Sequence, residues 1–270
     1  MTDRINYQAS KPSFDMGRVL GRAFAGVLGN IKSILFAIAL AIILSTVVTA
    51  PIYMLDLTDP AAVMETNVYG ILTATSSILG FVLMMSICVF TDHMAFAQFT
   101  NRSAGFRYVL LRSIKLTLPV LFVVILYFLS SYIGMAFLIV PGVIISVGWA
   151  VIGPAYLHES TSLFGSFGRS WSLTRGYKWW VWLATIIMTI LVWFIFIVGT
   201  IILSAVSLAN IADPEMALGF TPKQFFVGLV INLFMYLAIS LYASFTTALY
   251  TELRELKEGP LGEEMSAIFD

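Results

Sequence analysis

The sequence predicts an all-α integral membrane protein, and three observations support that fold class. Hydrophobic residues make up 59% of the 270 residues and charged residues only 11%, whereas soluble domains have about 25% charged residues. The mean hydropathy of +0.93 is high for a whole chain. Five long windows contain no charged side chain, and a membrane-spanning helix needs about 20 such apolar residues. These windows cover residues 33–55, 66–91, 116–157, 179–212 and 224–251.

The windows predict about six transmembrane helices. Residues 116–157 form a window of 42 residues, which is about twice the length of one span and must therefore fold back as a hairpin. Each of the other windows supplies one span. We expect the reversal near Pro141 and Gly142, because proline lacks a backbone donor and glycine relaxes the restriction on backbone angles. Gly199 could divide the window 179–212. Five or seven spans are the alternatives to six.

The basic residues predict the orientation of the spans. Of the 15 Lys and Arg, 14 lie before the first span, between spans two and three, between spans four and five, or after the sixth. All these segments fall on one side, which the positive-inside rule assigns to the cytoplasm. Lys223 is the exception, and the loops on its side carry acidic residues. We therefore expect both termini in the cytoplasm.

Three cytoplasmic amphipathic helices are predicted to lie in the membrane interface, ahead of the first, third and fifth spans. In the first, apolar residues recur at helical spacing on one face and Arg22 lies on the other. In the last, Phe167 and Trp171 share a face and Arg169 points roughly opposite. The middle segment, which contains Arg112, is a poorer copy without the glycines of the other two.

The similarity of these segments suggests a threefold internal repeat. Residues 21–25 and 168–172 match in residue type, and Gly29 and Gly176 follow them at the same distance. Each repeat would contain one interfacial helix and two spans, within a single membrane domain. The alternative is that any positive-inside protein places arginine and small residues before a span. The predicted division is a polar N-terminal tail at 1–12, one six-span domain at 13–258 and a mobile C-terminal tail at 259–270.

The sequence contains none of the common catalytic motifs. It has two histidines and no HExxH, GxSxG, Walker loop or CxxC, so we expect no enzyme activity, no bound metal and no cofactor. One polar site is conceivable: Asp92 and His93 end the second span, and His158 and Glu159 hold the equivalent position after the fourth. If those spans pack together, the four could form a metal or proton-linked site. The simpler interpretation, which we prefer, is that they end two spans at the level of the headgroups.

Basic and aromatic residues on the cytoplasmic side are candidates for contact with lipid. Interfacial guanidinium groups beside tryptophan suit the geometry of anionic phosphate headgroups. The alternative is that these residues set the topology and extend their charges to the interface without a specific ligand. The candidate headgroup-binding residues are Arg22, Arg112, Arg169, Arg175, Trp171 and Lys178.

A second helix break is predicted within the fourth span, at Gly153 and Pro154. Broken helices in transporters use freed backbone groups to hold ions. A plain kink near the end of a span is the commoner arrangement. The predicted breaks are therefore Pro141 with Gly142 and Gly153 with Pro154.

The order of motifs in residues 139–182 resembles that of a known family. A PG pair is followed by a tryptophan, then by GPA with an acidic residue soon after, then by GRSWSLTRG and an aromatic cluster. The stretch ALYTELRELKEG near the C-terminus continues the pattern. This order resembles the bacterial polytopic membrane proteins related to the membrane domain attached to some glycerophosphoryl diester phosphodiesterases. The resemblance covers roughly the second half of the chain, and it implies a multi-pass architecture in the bacterial inner membrane without implying an activity.

These observations favour a non-catalytic protein of the inner membrane that acts as a scaffold or lipid-interacting partner. The alternative is an oligomeric channel or transporter for a small solute or ion, suggested by the repeats and the broken fourth span. The expected partners are membrane lipids with anionic headgroups on the cytoplasmic side. A second copy of the chain or another membrane protein is a further candidate partner, and we expect no nucleic acid.

Overall fold

The computed structural model describes residues 13–56, 67–159, 161–211 and 222–259, and every regular element in these ranges is a helix. The predicted tail at 1–12 and all but Gly259 of the tail at 259–270 lie outside these ranges. The helices are α1 (Met16–Gly29), α2 (Ile31–Asp56), α3 (Asn67–Phe99), α4 (Phe106–Phe137), α5 (Ile139–Gly148), α6 (Ile152–His158), α7 (Leu163–Thr174), α8 (Lys178–Ile211) and α9 (Pro222–Glu258).

Six stretches of helix are long and apolar enough to cross a membrane, which confirms the prediction of an all-α, multi-pass membrane protein. Helices α2, α3, α4, α8 and α9 each supply one span, and α5 together with α6 supplies another. Gly199 does not divide the fifth span, because α8 is one helix from Lys178 to Ile211. The spans are Ile31–Ala50, Gly70–Phe99, Phe106–Phe137, Ile139–His158, Lys178–Ile202 and Gly228–Glu258.

The reversal in the long apolar window lies at Leu138, three residues before the predicted position. Helix α4 ends at Phe137, Leu138 is extended with φ of −160° and ψ of 136°, and α5 begins at Ile139. Pro141 therefore lies in the first turn of α5 and not in the break. A proline is tolerated there because the first amide groups of a helix have no acceptor within the helix.

Gly142, predicted to break the helix, instead lets two helices touch. A Cβ atom added at Gly142 would lie 2.6 Å from the backbone nitrogen of Met135, and one added at Gly134 would lie 3.1 Å from the Cα of Gly142. The backbones of α4 and α5 are therefore in direct contact just after the reversal. Close backbone approach at small residues is a common way for membrane helices to pack.

The second predicted break is also displaced toward the N-terminus. Helix α5 ends at Gly148, and α6 begins at Ile152 after a turn. Gly153 and Pro154 therefore lie in the first turn of α6, where a proline again costs little. The amide of Ile152 donates to the carbonyl of Trp149 at 3.2 Å. In a regular helix this amide would donate to the carbonyl of Gly148. The carbonyl of Gly148 is therefore left without its helical donor.

Helix α7 supplies the donors that the freed carbonyl needs. Ser170 Oγ and Thr174 Oγ1 each donate to the carbonyl oxygen of Gly148 at 3.1 Å. Both hydroxyl groups are buried, and their spacing of four residues places them on one face of the helix. The break in the fourth span and the packing of α7 therefore depend on each other.

Two of the three predicted interfacial helices are separate helices, namely α1 and α7. Each begins at a side-chain cap: Asp15 accepts from the amide of Arg18 at 3.0 Å, and Ser162 accepts from the amide of Gly165 at 3.1 Å. The third does not form, because α4 continues without interruption through Arg112. The physical reason is that this segment lacks the turn residues found after α7, where Gly176 has a φ of +92°.

Helix α1 packs against the helical bundle along α9. The amide of Asp15 donates to Glu252 Oε1 at 3.2 Å, and Ser244 Oγ donates to the carbonyl of Ala23 at 2.8 Å. The numbering of these pairs runs in opposite directions, so α1 lies antiparallel to the last turns of α9. We call this end of the bundle, formed by α1, α7 and the adjoining ends of α3, α6 and α9, the charged end.

Candidate functional site

Helix α6, at its last residue, and α3, about two turns before its end at Phe99, meet at a buried acid–histidine pair. Asp92 Oδ1 and His158 Nε2 form a hydrogen bond, with only 6% and 5% of the respective side-chain surfaces exposed. The second and fourth spans therefore pack together here, which is the condition that the predicted polar site required. The imidazole ring of His158 is stacked on Phe96, with 3.7 Å between ring centroids.

His93 lies beside this pair without bonding to it. Its ring centroid is 5.4 Å from that of His158, in an edge-on arrangement. His93 Nδ1 is 2.9 Å from the carbonyl oxygen of Val89. Because a carbonyl only accepts, Nδ1 carries the proton and a neutral ring presents Nε2 as an acceptor. Within the described residues, that buried Nε2 has no hydrogen-bond partner.

Glu159 belongs to a different set of contacts. Its carboxylate accepts from Arg169 Nε at 2.6 Å and from the Tyr250 hydroxyl at 2.7 Å. Asp92, His93 and His158 are thus together, whereas the hydrogen bonds of Glu159 go to Arg169 and Tyr250. The four do not form a metal site, and no group of three His, Cys, Asp or Glu placed to hold a metal occurs within the described ranges.

Arg169 is held by carboxylates from two helices. Besides Glu159, its Nη2 lies 2.5 Å from Glu258 Oε1 on α9. Partial burial would lower the pKa of Arg169, but the hydrogen bonds to Glu159 and Glu258 outweigh burial and raise that pKa. The guanidinium group therefore joins α6, α7 and α9, and its charge is already neutralised within the protein.

Arg22 has the same kind of environment on α1. Its Nη2 lies 3.0 Å from Glu255 Oε2, and its Nη1 lies 3.6 Å from Glu252 Oε2. Arg18 Nε is 3.2 Å from the same Glu252 oxygen, and only 1% of the Glu252 side chain is exposed. These ion pairs fasten α1 to α9. Two of the predicted headgroup-binding arginines therefore contact glutamates of the same chain.

Three other cations gather where α7 meets α8 and α9, and we call them the basic patch: Arg175, Lys178 and Lys257. The charge of Arg175 acts on both lysines. Lys178 Nζ lies 3.2 Å from the ring centroid of Trp171, and Lys257 Nζ donates to the carbonyl of Ser172. Among the residues that the structure describes, none of the three forms an ion pair with a carboxylate.

Exposed tryptophans adjoin the basic patch. Trp179 and Trp180 follow Lys178 directly and are 70% and 48% exposed. Of the basic patch, Arg175 and Lys178 were predicted as headgroup-binding residues, and Lys257 was not. Trp171, which was also predicted, lies against Lys178. Arg112 does not belong to the patch, since it lies on α4 and donates to the Tyr108 hydroxyl at 2.8 Å.

The glutamates that pair with these arginines, and Lys257, follow a recognisable pattern in the sequence. Glu252, Glu255 and Glu258 recur at intervals of three along the C-terminal helix, so they cover neighbouring positions on its surface. Such a series beside 14 basic residues on the predicted cytoplasmic side indicates ion pairing within that side. Lys257 follows from the same stretch, as a basic residue on the helix that carries the acidic series.

A cavity of about 350 Å³ lies between α3, α4, α6, α8 and α9. Gly153 and Pro154 of the broken fourth span contribute to its wall, and so does Asp92 at the charged end. The predicted helix break and the predicted polar site therefore line the same cavity. Most of the other wall residues are apolar or aromatic.

A comparison of the chain with models of known families, with curated proteins and with solved structures finds no match.

Proposed function

We propose that this chain is a non-catalytic, multi-pass protein of the bacterial inner membrane that binds anionic lipid headgroups at its basic patch. The charged end faces the cytoplasm in this proposal, because the basic residues lie there and the positive-inside rule governs their distribution. The absence of the common catalytic motifs from the sequence supports the non-catalytic part of the proposal. The family resemblance in the second half of the chain favours the same location.

One observation supports lipid binding above all others. Arg175, Lys178 and Lys257 form no ion pair with a carboxylate in the described part of the chain, whereas Arg22 and Arg169 each contact two glutamates. Three cations held close together repel one another and favour an anion between them. The adjacent tryptophans suit the level of the headgroups, where their amphipathic rings are enriched. A phosphate headgroup satisfies both features.

The test removes the three charges of the patch and compares the result with a matched loss elsewhere. The triple variant Arg175→Gln, Lys178→Gln and Lys257→Gln is titrated with phosphatidylglycerol in detergent, and native mass spectrometry counts the bound lipid. At about 1 kcal/mol per basic residue, the loss amounts to about 3 kcal/mol, or roughly a hundredfold weaker binding. The control triple replaces Arg102, Arg107 and Lys115, which are exposed at the same end of the protein.

The control variant is expected to lose clearly less phosphatidylglycerol binding than the patch variant, and neither variant should change the binding of phosphatidylcholine. If both triple variants lost the same affinity for phosphatidylglycerol, the patch would contribute no more than any three basic residues at this end. An unchanged affinity of the patch variant for phosphatidylglycerol would contradict the proposal.

A second candidate function is transport of a small solute, and the cavity is the observation that favours it. The cavity is walled partly by a broken span, an arrangement that transporters use for substrate sites. Its wall includes Asp92, whose hydrogen bond to His158 also connects the second and fourth spans.

A further inference from the structure

We propose that the cavity between α3, α4, α6, α8 and α9 binds an apolar organic cation, such as a quaternary alkylammonium, with Asp92 as its counterion. The proposal is independent of the basic patch, which lies on the outside of the charged end and would bind anions. It rests on the size of the cavity, the chemistry of its wall, and the charge balance around Asp92.

The size and the wall define the body of the ligand. A volume of about 350 Å³ lies within the range of about 300–1,000 Å³ that is usual for small-molecule sites. The wall is largely apolar, with residues such as Met84, Met85, Val120 and Leu157. Such a surface favours a ligand with an apolar exterior, because hydrated inorganic ions would find few groups to replace their water.

The charge of the ligand follows from Asp92. It is the one carboxylate among the described residues of the wall, and it is 4% exposed. A buried carboxylate is costly unless a cation compensates it. Within the described residues its ion-pair partner is His158, and histidine, unlike lysine or arginine, is not a permanent cation near neutral pH.

Among the residues that the structure describes, no lysine or arginine forms an ion pair with Asp92. His93 directs its Nδ1 hydrogen bond to the carbonyl of Val89 and not to Asp92. Arg112 acts on His93 from a distance, but its side chain donates to the Tyr108 hydroxyl on the exposed surface of α4. In the described part of the chain, the carboxylate at this end of the apolar cavity is therefore contacted by a histidine and by no lysine or arginine.

Aromatic side chains in the wall favour an organic cation over a metal ion. Tyr127 and Phe128 of α4, Trp149 in the helix break and Tyr242 of α9 all contribute to the wall. Aromatic faces attract alkylammonium groups through their quadrupoles, and this attraction increases when the site is desolvated. A carboxylate combined with several aromatic rings is a suitable set of contacts for such a ligand.

Gly153 gives the proposal a steric test. It belongs to the wall, and a Cβ atom added there would meet no other atom within 4 Å. The first carbon of a larger side chain at this position therefore meets open space at the cavity wall. If the space is the ligand site, Gly153→Leu competes with the ligand for volume and leaves Asp92 unchanged.

The experiment measures binding of benzyltriethylammonium to the full chain in phosphatidylcholine nanodiscs by isothermal titration calorimetry, with empty nanodiscs as the blank. Its neutral isostere, with carbon in place of nitrogen, is measured in the same way. The parent protein should bind the cation at least about tenfold more tightly than the isostere. Asp92→Asn and Gly153→Leu should each weaken cation binding about tenfold or more. Asp15→Asn, the same change at an exposed helix cap, should leave the affinity unchanged.

Folding of each variant is checked by size-exclusion profile and helical circular dichroism, and Gly153→Leu provides the test if Asp92→Asn does not fold. Equal affinity for the cation and the isostere would show a purely apolar cavity, suited to an acyl chain, and would overturn the proposal. Absence of cation binding to the parent, or full binding by both variants, would also overturn it. The basic-patch triple variant should bind the cation normally, so this test and the lipid test can fail separately.

Discussion

Helices α1 and α7 contain the same short pattern and end in different surroundings. Residues 21–25 and 168–172 share the order glycine, arginine, small, aromatic, small, and both arginines contact glutamates on the last turns of α9. Helix α1 is fastened to α9 by ion pairs, whereas α7 leads into the basic patch. An arginine in an amphipathic helix ahead of a span is therefore not by itself evidence of contact with lipid, since its nearest carboxylate decides its role.

The two sets of ion pairs also differ in burial. The Glu252 side chain at α1 is 1% exposed, whereas those of Glu159 and Glu258 at α7 are 17% and 30% exposed. Loss of a partner is costly for a buried charge and cheap for an exposed one, because water replaces the partner only at the surface. The same kind of substitution should therefore have unequal effects at the two helices.

The largest expected effect is loss of both cations that contact Glu252. Arg18→Met together with Arg22→Met leaves a buried carboxylate without a permanent cation, which typically costs about 3–5 kcal/mol. Thermal unfolding in detergent, followed by tryptophan fluorescence, should show a clearly lowered midpoint. Adding Glu252→Gln should recover much of the loss, because the uncompensated charge is then gone. A double variant as stable as the parent would show that α1 does not depend on these pairs.

An intermediate effect on stability is expected from loss of the two hydroxyl groups that donate to the carbonyl at the helix break. Ser170→Ala with Thr174→Val leaves the carbonyl of Gly148 without its two donors, and an unsatisfied buried group costs about 1–3 kcal/mol. Ser244→Ala is the matched change beside α1. It should cost less, because the carbonyl of Ala23 also accepts a bond within its own helix. Equal thermal midpoints for the two variants would contradict this account of the break.

The smallest effect is expected at Arg169. Its carboxylate partners are partly exposed, so Arg169→Met should cost only about 1 kcal/mol. The expected reading is a small drop in the thermal midpoint, much smaller than that of the Arg18 and Arg22 double variant. A loss as large as at α1 would mean that burial does not govern the difference between the two helices.

Hydropathy was sufficient to predict the six spans, because apolar length is a property of the sequence alone. The positions of the breaks were predicted within a few residues. Proline is tolerated in the first helical turn, so Pro141 and Pro154 follow their breaks at Leu138 and at residues 149–151. The pairing of Asp92 with His158 was predictable only on the condition that their spans pack together.

The ion pairs could not be predicted because their partners are far apart in the sequence. Arg22 and Glu255 are 233 residues apart, and only the packing of α1 against α9 brings them together. Counting arginines on the side expected to be cytoplasmic thus predicted lipid contact at Arg22 and Arg169, where the structure has glutamates. The prediction of a separate middle interfacial helix was wrong for a local reason. No glycine or proline between Phe106 and Lys115 ends the helix there.

The most direct test of the central claim, that α1 is docked on α9 and does not lie free in the interface, is a disulfide between them. A Cβ atom at Gly26 would contact Ser244 Oγ, whereas one at Gly21 would meet no other atom within 4 Å. With Cys88 replaced by alanine, Gly26→Cys with Ser244→Cys should therefore form a disulfide on mild oxidation in membranes. Gly21→Cys with Ser244→Cys should not form one. Equal oxidation of both pairs, or of neither, would contradict the docking of α1 on α9.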